Sequence, residues 1–441
     1  MLSAPRRKRI LALALPIIGG MVSQNVLNLV DTLMVGSLGN AALAAVGIAS
    51  FANFMCTAFI TGLGAGVQAM ASRRLGEGQH GATALPLNGG LLLAIVLGLP
   101  LGVTLFALAP TLMPLLVHQK PVVALAVPYL QARLVAMVAI GMNFAFRGYW
   151  NGVNRSSLYF RTLIVMHVSN IALNWVFIYG KLGAPALGST GAGVASAMAT
   201  WIGTLTYVSL GFKHARAAGF LRRLPNRRSM LTTLRLTVPA GLQQLFFAAG
   251  MTAFFTLIGR VGTAELAASN VLLNLLLVAH LPAMGFGLAS ASLVGQALGR
   301  GDADDARRWA WDVVALAVAV VALLSLPGLV MPDLFLSAFL HDTATRHMAQ
   351  WPLRIIALGM PVDAVGIILM QSLMGAGDTR SVLYVSVALQ WLLDLPAVYL
   401  VGPVLGGGLL AIWLVQLGYR LSSAGVFAAL WHRGRWRRIR V

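Results

Sequence analysis

Residues 16–78 read PIIGGMVSQNVLNLVDTLMVGSLGNAALAAVGIASFANFMCTAFITGLGAGVQAMASRRLGEG. Residues 239–301 read PAGLQQLFFAAGMTAFFTLIGRVGTAELAASNVLLNLLLVAHLPAMGFGLASASLVGQALGRG and align with them, without a gap, at one fixed offset. Identical residues fall at Pro16/Pro239, Gly36/Gly259, Gly39/Gly262, Ala41/Ala264, Leu43/Leu266, Ala44/Ala267, Ala45/Ala268, Gly62/Gly285, Gly64/Gly287, Leu75/Leu298, Gly76/Gly299 and Gly78/Gly301, and the offset returns at Gly152/Gly375. One apolar block is written twice, which is the signature of a duplicated architecture.

The 441 residues are 58% hydrophobic and only 10% charged, where a soluble domain carries about 25% charged residues. The chain therefore belongs in lipid. Its net charge of +20 does not imply nucleic acid, because the basic residues gather at the ends of apolar segments, where they set membrane topology. A single cysteine, Cys56, excludes an intramolecular disulfide, a CxxC redox pair and a thiolate metal site.

A membrane-crossing helix needs about 20 apolar residues to traverse roughly 30 Å of hydrocarbon. Twelve such segments are predicted, near 10–35, 41–68, 84–110, 122–149, 158–180, 188–211, 231–258, 264–293, 309–331, 347–374, 381–402 and 406–431. The first carries Gln24, Asn28 and Asp31 and is too long for a signal peptide, so it is expected to stay as the first span. The expected organisation is an all-α integral membrane protein with an amino-terminal lobe over 1–212, a basic cytoplasmic connector over 213–230 and a carboxy-terminal lobe over 231–441. Each lobe holds six spans, so the second copy enters from the same side as the first and the repeats are parallel. Two such halves can expose a shared site to either side in turn, which implies a carrier.

Lys and Arg set the orientation. They fill the amino-terminal tail (Arg6, Arg7, Lys8, Arg9), the carboxy-terminal tail (Arg433, Arg435, Arg437, Arg438, Arg440) and the loops after even-numbered spans, including Arg73-Arg74 and the connector from Lys213 to Arg235. Both termini are expected in the cytoplasm. The connector is read as a solvated linker, with anionic headgroups as a second reading.

Ionisable and amide side chains inside spans are costly and mark function. Gln24, Asn28 and Asp31 share one helical stripe, and Asn170 and Asn174 are one turn apart in the fifth span. Asp31 and Asn174 fall at similar depth, about 6 to 9 Å from the outer end at 1.5 Å per residue, so they can share a pocket. A lone carboxylate among amides can take up a proton and release it when the site opens. The competing reading is that Asp31 only bonds neighbouring helices as structural glue. The second repeat has Phe254 at the corresponding position, so duplication alone does not demand the acid.

The carboxy-terminal half holds Asp363, Gln390 with Asp394 at i, i+4, and Asn270 with Asn274 at i, i+4. These oxygen donors suit a desolvated Na⁺ or a cationic substrate, and Asp394 can alternatively satisfy backbone freed by Pro396. Arg133, Arg354 and Arg420 read as snorkelling or substrate-facing cations. The Asp302, Asp304, Asp305 cluster reads as the start of the ninth helix, with Asp302 as its cap. No GxxxxGK[ST] loop occurs, which excludes ATP-driven pumping by this chain alone.

The first-span acid followed by VDTLMVGSLGNAALAAVGIAS, the segment SNIALNWVFIYGKLGAPALGSTGAGVASA, AASNVLLN in the eighth span, and Asp363 upstream of Asp378 in MQSLMGAGDTR together resemble the multidrug and toxin extrusion family, in its NorM-type bacterial branch. The resemblance covers nearly the whole chain. It implies two six-helix lobes in a V around a cleft, residence in the bacterial cytoplasmic (inner) membrane as a monomer, and export of amphipathic, often cationic drugs in exchange for H⁺ or Na⁺. It assigns Asp31 to the family's amino-lobe acid, Asn170 and Asn174 to its partners, and Asp363 to the tenth-helix acid. The seventh helix departs from the pattern, since TVPAGLQQLFFAAG offers Gln243, Gln244, Phe247 and Ala248 where NorM-type members carry a glutamate. A Na⁺ site at Asp363 is thus short of a ligand, which favours H⁺ as the coupling ion at Asp31, with Asp394 as the residue that keeps Na⁺ open. No cofactor, enzymatic step or obligate protein partner is expected. The alternatives are a Na⁺-coupled drug antiporter, a lipid-linked oligosaccharide flippase of the same superfamily, and, from another class, a membrane-embedded prenyl transferase, which would need a second aspartate-rich motif.

Overall fold

The computed structural model describes residues 3–340, 342–439 and 441, and among them every regular element is helical. Arg440 of the basic tail lies outside the described residues. The helices are α1 (Ala4–Gly36), α2 (Asn40–Thr61), α3 (Leu63–Gly76), α4 (Leu85–Leu116), α5 (Lys120–Leu134), α6 (Met137–Gly152), α7 (Ser156–Tyr179) and α8 (Gly188–His214). They continue with α9 (Arg227–Val261), α10 (Thr263–Gly299), α11 (Ala303–Val330), α12 (Pro332–Ser337), α13 (Thr343–Ala376), α14 (Thr379–Val387), α15 (Leu395–Tyr399) and α16 (Gly408–Arg433).

Each expected span coincides with a helix or a run of helices. Among the described residues, ten helical stretches are long and apolar enough to cross a membrane, and α5 with α6 forms an eleventh, bent by 51°. Helix α8 falls below that apolar standard because Gly, Ser and Thr fill its first turns. The eleventh span widens into π-helical turns at Ala388–Asp394 and Leu400–Val404, just ahead of Pro396 and around Pro403. Proline lacks the amide that would close a normal turn there, and wide turns absorb the mismatch. The Asp302 carboxylate accepts from the Asp305 amide at 2.8 Å and caps α11, as its sequence predicts.

The compact units do not follow the sequence boundaries. One unit takes the chain up to Ile18 together with Leu245–Val441, and the other takes Gly19–Gln244. Helices α1 and α9 each begin in one unit and end in the other. The repeat explains the exchange. A methyl group on Gly62, at the junction of α2 and α3, would overlap the backbone of Gly241 in α9, and one on its counterpart Gly285 of α10 would overlap Ile18 in α1. Gly241 and Ile18 are themselves counterparts at the same offset. So the second helix of each copy packs on the first half of the other copy's first helix. Within each copy, Gly152 approaches Gln68 and its counterpart Gly375 approaches Ala291, again an equivalent pair.

In the Gly19–Gln244 unit α3 packs on α6, α2 on α5, and α7 on α8. Gly20 of α1 sits against Tyr159 and Leu163 of α7, where a side chain would lie only 2.8 Å from either. The Gly19-Gly20 pair thus permits close packing. In the other unit α13 is central and touches α10, α11 and α16.

The connector is largely exposed but anchored at its middle. Asn88 of α4 donates to the carbonyls of Gly219 and Arg223 at 2.9 and 2.8 Å and accepts from the Leu221 amide at 3.0 Å. Leu221 is held at φ +49°, a conformation a leucine rarely adopts, and Phe220 is fully buried against Phe146 and Phe212. Asn88→Ala is expected to cost about 1–3 kcal/mol, the penalty for orphaned buried backbone groups. Limited trypsin digestion checks this: cleavage at the exposed Arg222 and Arg223 should accelerate in the variant.

Candidate functional site

The polar stripe of α1 meets α7 in the Gly19–Gln244 unit. Asn174, with no solvent exposure, donates through Nδ2 to the Asp31 carboxylate at 2.6 Å and to the Asn170 oxygen at 2.9 Å. Asn170 in turn donates to the Ser196 hydroxyl of α8 at 3.1 Å. A chain of three bonds therefore runs from the half-buried Asp31 through α7 into α8. The Asn174 Oδ1 atom is buried without a hydrogen-bond partner, an unusual cost that asks for an explanation.

The remainder of the stripe is organised differently from expectation. Asn28 accepts from Gln24 at 3.2 Å, a contact along α1 itself. Gln24 also meets His167 Nε2 at 3.2 Å. His167 and Ser196 were not singled out in the sequence, although His167, Asn170 and Asn174 lie at i, i+3 and i+7 on one stripe of α7. Arg133 of α5, read earlier as a snorkelling side chain, is the cation whose field reaches Asp31.

In the other unit Asp363 of α13 is paired with a cation of the chain itself. Its Oδ2 accepts from Arg420 of α16 at 2.5 Å and lies 3.3 Å from His280 Nδ1 of α10. All three side chains are largely buried. Asp394 accepts from the Gln416 amide at 2.9 and 3.1 Å through its two oxygens. The field of Arg420 reaches both carboxylates. Gln390 donates to the Phe247 carbonyl at 3.4 Å and lies against Gly250.

The carboxy-terminal donors named from the sequence have other partners in this structure. Asn270 and Asn274 do not converge on the acids: each is exposed and donates to its own helix, at Leu266 and Asn270 respectively. The oxygen donors expected to gather for Na⁺ at Asp363 are displaced by a guanidinium, because the pairing of α13 with α16 brings Arg420 there. Arg420 was legible only as an intramembrane cation, since nothing in its spacing names its partner.

The amino-terminal constellation can exchange one proton without a metal or nucleophile: an acid on α1 faces an amide on α7 that supplies both a donor and a buried, unused oxygen. The other unit presents a carboxylate already neutralised by arginine and a second one held by an amide. A family model, MatE, matches the chain twice, over residues 16–176 and 239–400, which are the two copies of the repeat. Over 400 residues the chain is 27% identical to the probable multidrug resistance protein NorM of Pasteurella multocida (strain Pm70), covering 89% of this chain and 85% of that one. It is 29% identical to the protein of the same description from Synechococcus sp. (strain ATCC 27144 / PCC 6301 / SAUG 1402/1), covering 95% and 92%. The fold matches that of a multidrug resistance MATE family transporter of the MOP superfamily with a TM-score of 0.89 at 21% identity, covering 99% of this chain and 97% of the other. With the family model spanning both repeats and most of the sequence, this chain belongs to the MatE family of multi-pass membrane proteins, whose members are secondary transporters and not enzymes.

Proposed function

We propose that this protein exports amphipathic, often cationic compounds from a bacterial cell by alternating access, in exchange for protons carried on Asp31. The observation that carries the reading is the Asp31–Asn174–Asn170 chain with its unused Asn174 oxygen. The ionised carboxylate accepts from Asn174. Once protonated it becomes a donor and needs an acceptor, and the Asn174 oxygen, on the same amide, is one that no other group claims. Protonation therefore reverses the polarity of the α1–α7 contact. A cationic drug is favoured by the ionised form and disfavoured by the neutral one, so drug and proton compete.

Na⁺ coupling through the other unit is the lesser reading, because a Na⁺ at Asp363 must first displace Arg420. The protein is placed by this account in the inner membrane as a monomer, with both termini cytoplasmic on the strength of its Lys and Arg distribution. The test is transport of a fluorescent cationic drug in proteoliposomes under either an imposed pH gradient or an imposed Na⁺ gradient. The pH gradient alone should drive transport and the Na⁺ gradient alone should not; the opposite result transfers coupling away from Asp31.

A further inference from the structure

The basic cluster at the start of the chain has a use beyond topology. Arg6, in the first turn of α1, donates through Nε to Asp312 and through Nη1 to Asp305 at 2.7 Å, both on α11. Its guanidinium stacks on the Trp309 ring at 3.7 Å, and Trp309 Nε1 donates to Asp305 at 2.9 Å. Arg9, one turn on, lies 5.4 Å from the same ring and donates to Gln296 of α10 at 2.6 Å. Arg300 supplies a further hydrogen bond to Asp305 at 2.8 Å. Two carboxylates and an indole thus clasp one guanidinium, with the Arg6, Asp305 and Asp312 side chains only 24, 22 and 28% exposed. Stacked, bidentate recognition of this kind is what arginine does and lysine does not.

The repeat offers a comparison. In the Gly19–Gln244 unit, Arg74 of α3 donates to Ser229 at 3.0 Å and to the Ala82 carbonyl at 2.9 Å. At the repeat offset Ser229 occupies the position of Arg6, and Ala82 that of Asp305. Both units therefore fasten the first turn of the incoming helix at the same place, one with neutral hydrogen-bond partners and one with a clustered ion pair. The ion pair holds the first half of α1, the helix that farther along its length carries Asp31.

We propose that Arg6 is a positioning residue that, with Asp305, Asp312 and Trp309, forms a latch that seats the first half of α1 on α11. The proposal rests on the transport reading for its purpose but not for its test. Ile10, one turn beyond Arg6, is fully buried, so in a Cys56→Ala, Ile10→Cys background the thiol at position 10 reports whether this half of α1 is seated. Its reaction with a membrane-impermeant maleimide is measured on purified protein without any drug. Arg6→Asp and Asp312→Arg should each raise the labelling rate about tenfold, the equivalent of one charge-assisted hydrogen bond. Combining them should return the rate most of the way to the background. Arg6→Gln keeps a donor and leaves the fold least disturbed; it should raise the rate about threefold with unchanged elution on size exclusion. A background rate in Arg6→Gln and Arg6→Asp, or no rescue in the swap, overturns the latch. Absent drug transport in an otherwise responsive latch would instead overturn the transport reading alone.

Discussion

Asp31→Asn is expected to reduce export driven by a pH gradient to the level of empty liposomes while the protein still folds and binds cationic drug more weakly, as the neutral form of the acid does. Asparagine has the shape of aspartate and keeps an oxygen to accept from Asn174, so the α1–α7 contact that Asn174 and Asn170 make survives. The loss in stability should stay within about 1 kcal/mol, the net worth of a typical hydrogen bond. What asparagine cannot do is alternate between acceptor and protonated donor, so the reversal of polarity at Asn174 no longer occurs. Transport assays on wild type and variant under identical pH gradients, with a thermal melt of each in detergent, check both halves of the expectation. A variant that transports at the wild-type rate removes Asp31 from the coupling step.

Arg420→Met is expected to destabilise the protein by about 3–5 kcal/mol, the cost of leaving a buried carboxylate without its cation. Asp363 then retains only His280 at 3.3 Å. Adding Asp363→Leu should recover most of that loss, because replacing both members of a buried ion pair with apolar groups is often neutral or stabilising. Melts of the two single variants and the double form a mutant cycle that isolates the pair. Arg420→Met also vacates the carboxylate for an external ion, so Na⁺ should raise the melting temperature of this variant and leave that of wild type unchanged. A Na⁺-stabilised wild type would show that the guanidinium does not pre-empt the ion.

The fold was legible because lipid restricts the chain to helices whose length is set by the hydrocarbon, and eleven of the twelve expected segments, all but α8, form helical stretches long and apolar enough to cross it. The repeat was legible in glycines such as Gly62/Gly285 and Gly152/Gly375, which mark close helix approaches. The partners of those glycines were not. Nothing local in the sequence says that Gly62 meets Gly241 and that Gly285 meets Ile18, so the exchange of α1 and α9 between units emerged only from the packing. The same limit separates the two polar clusters. Asp31, Asn170 and Asn174 could be joined from depth and helical stripe, because the two helices cross the same slab. Asp363 could not be joined to Arg420, since charge on one helix carries no information about which of several helices faces it. Arg6 looked like a topology signal for the same reason, until α11 supplied Asp305, Asp312 and Trp309.

The most direct test of the central claim is proton release on drug binding, measured with a pH indicator in weakly buffered solutions of purified protein, without a membrane or gradient. Wild type at a pH where Asp31 is partly protonated should release protons when a cationic drug is added, and Asp31→Asn, given enough drug to saturate its weaker site, should show no release. Equal release from both proteins would contradict proton coupling at Asp31 and move the titrating group elsewhere in the chain.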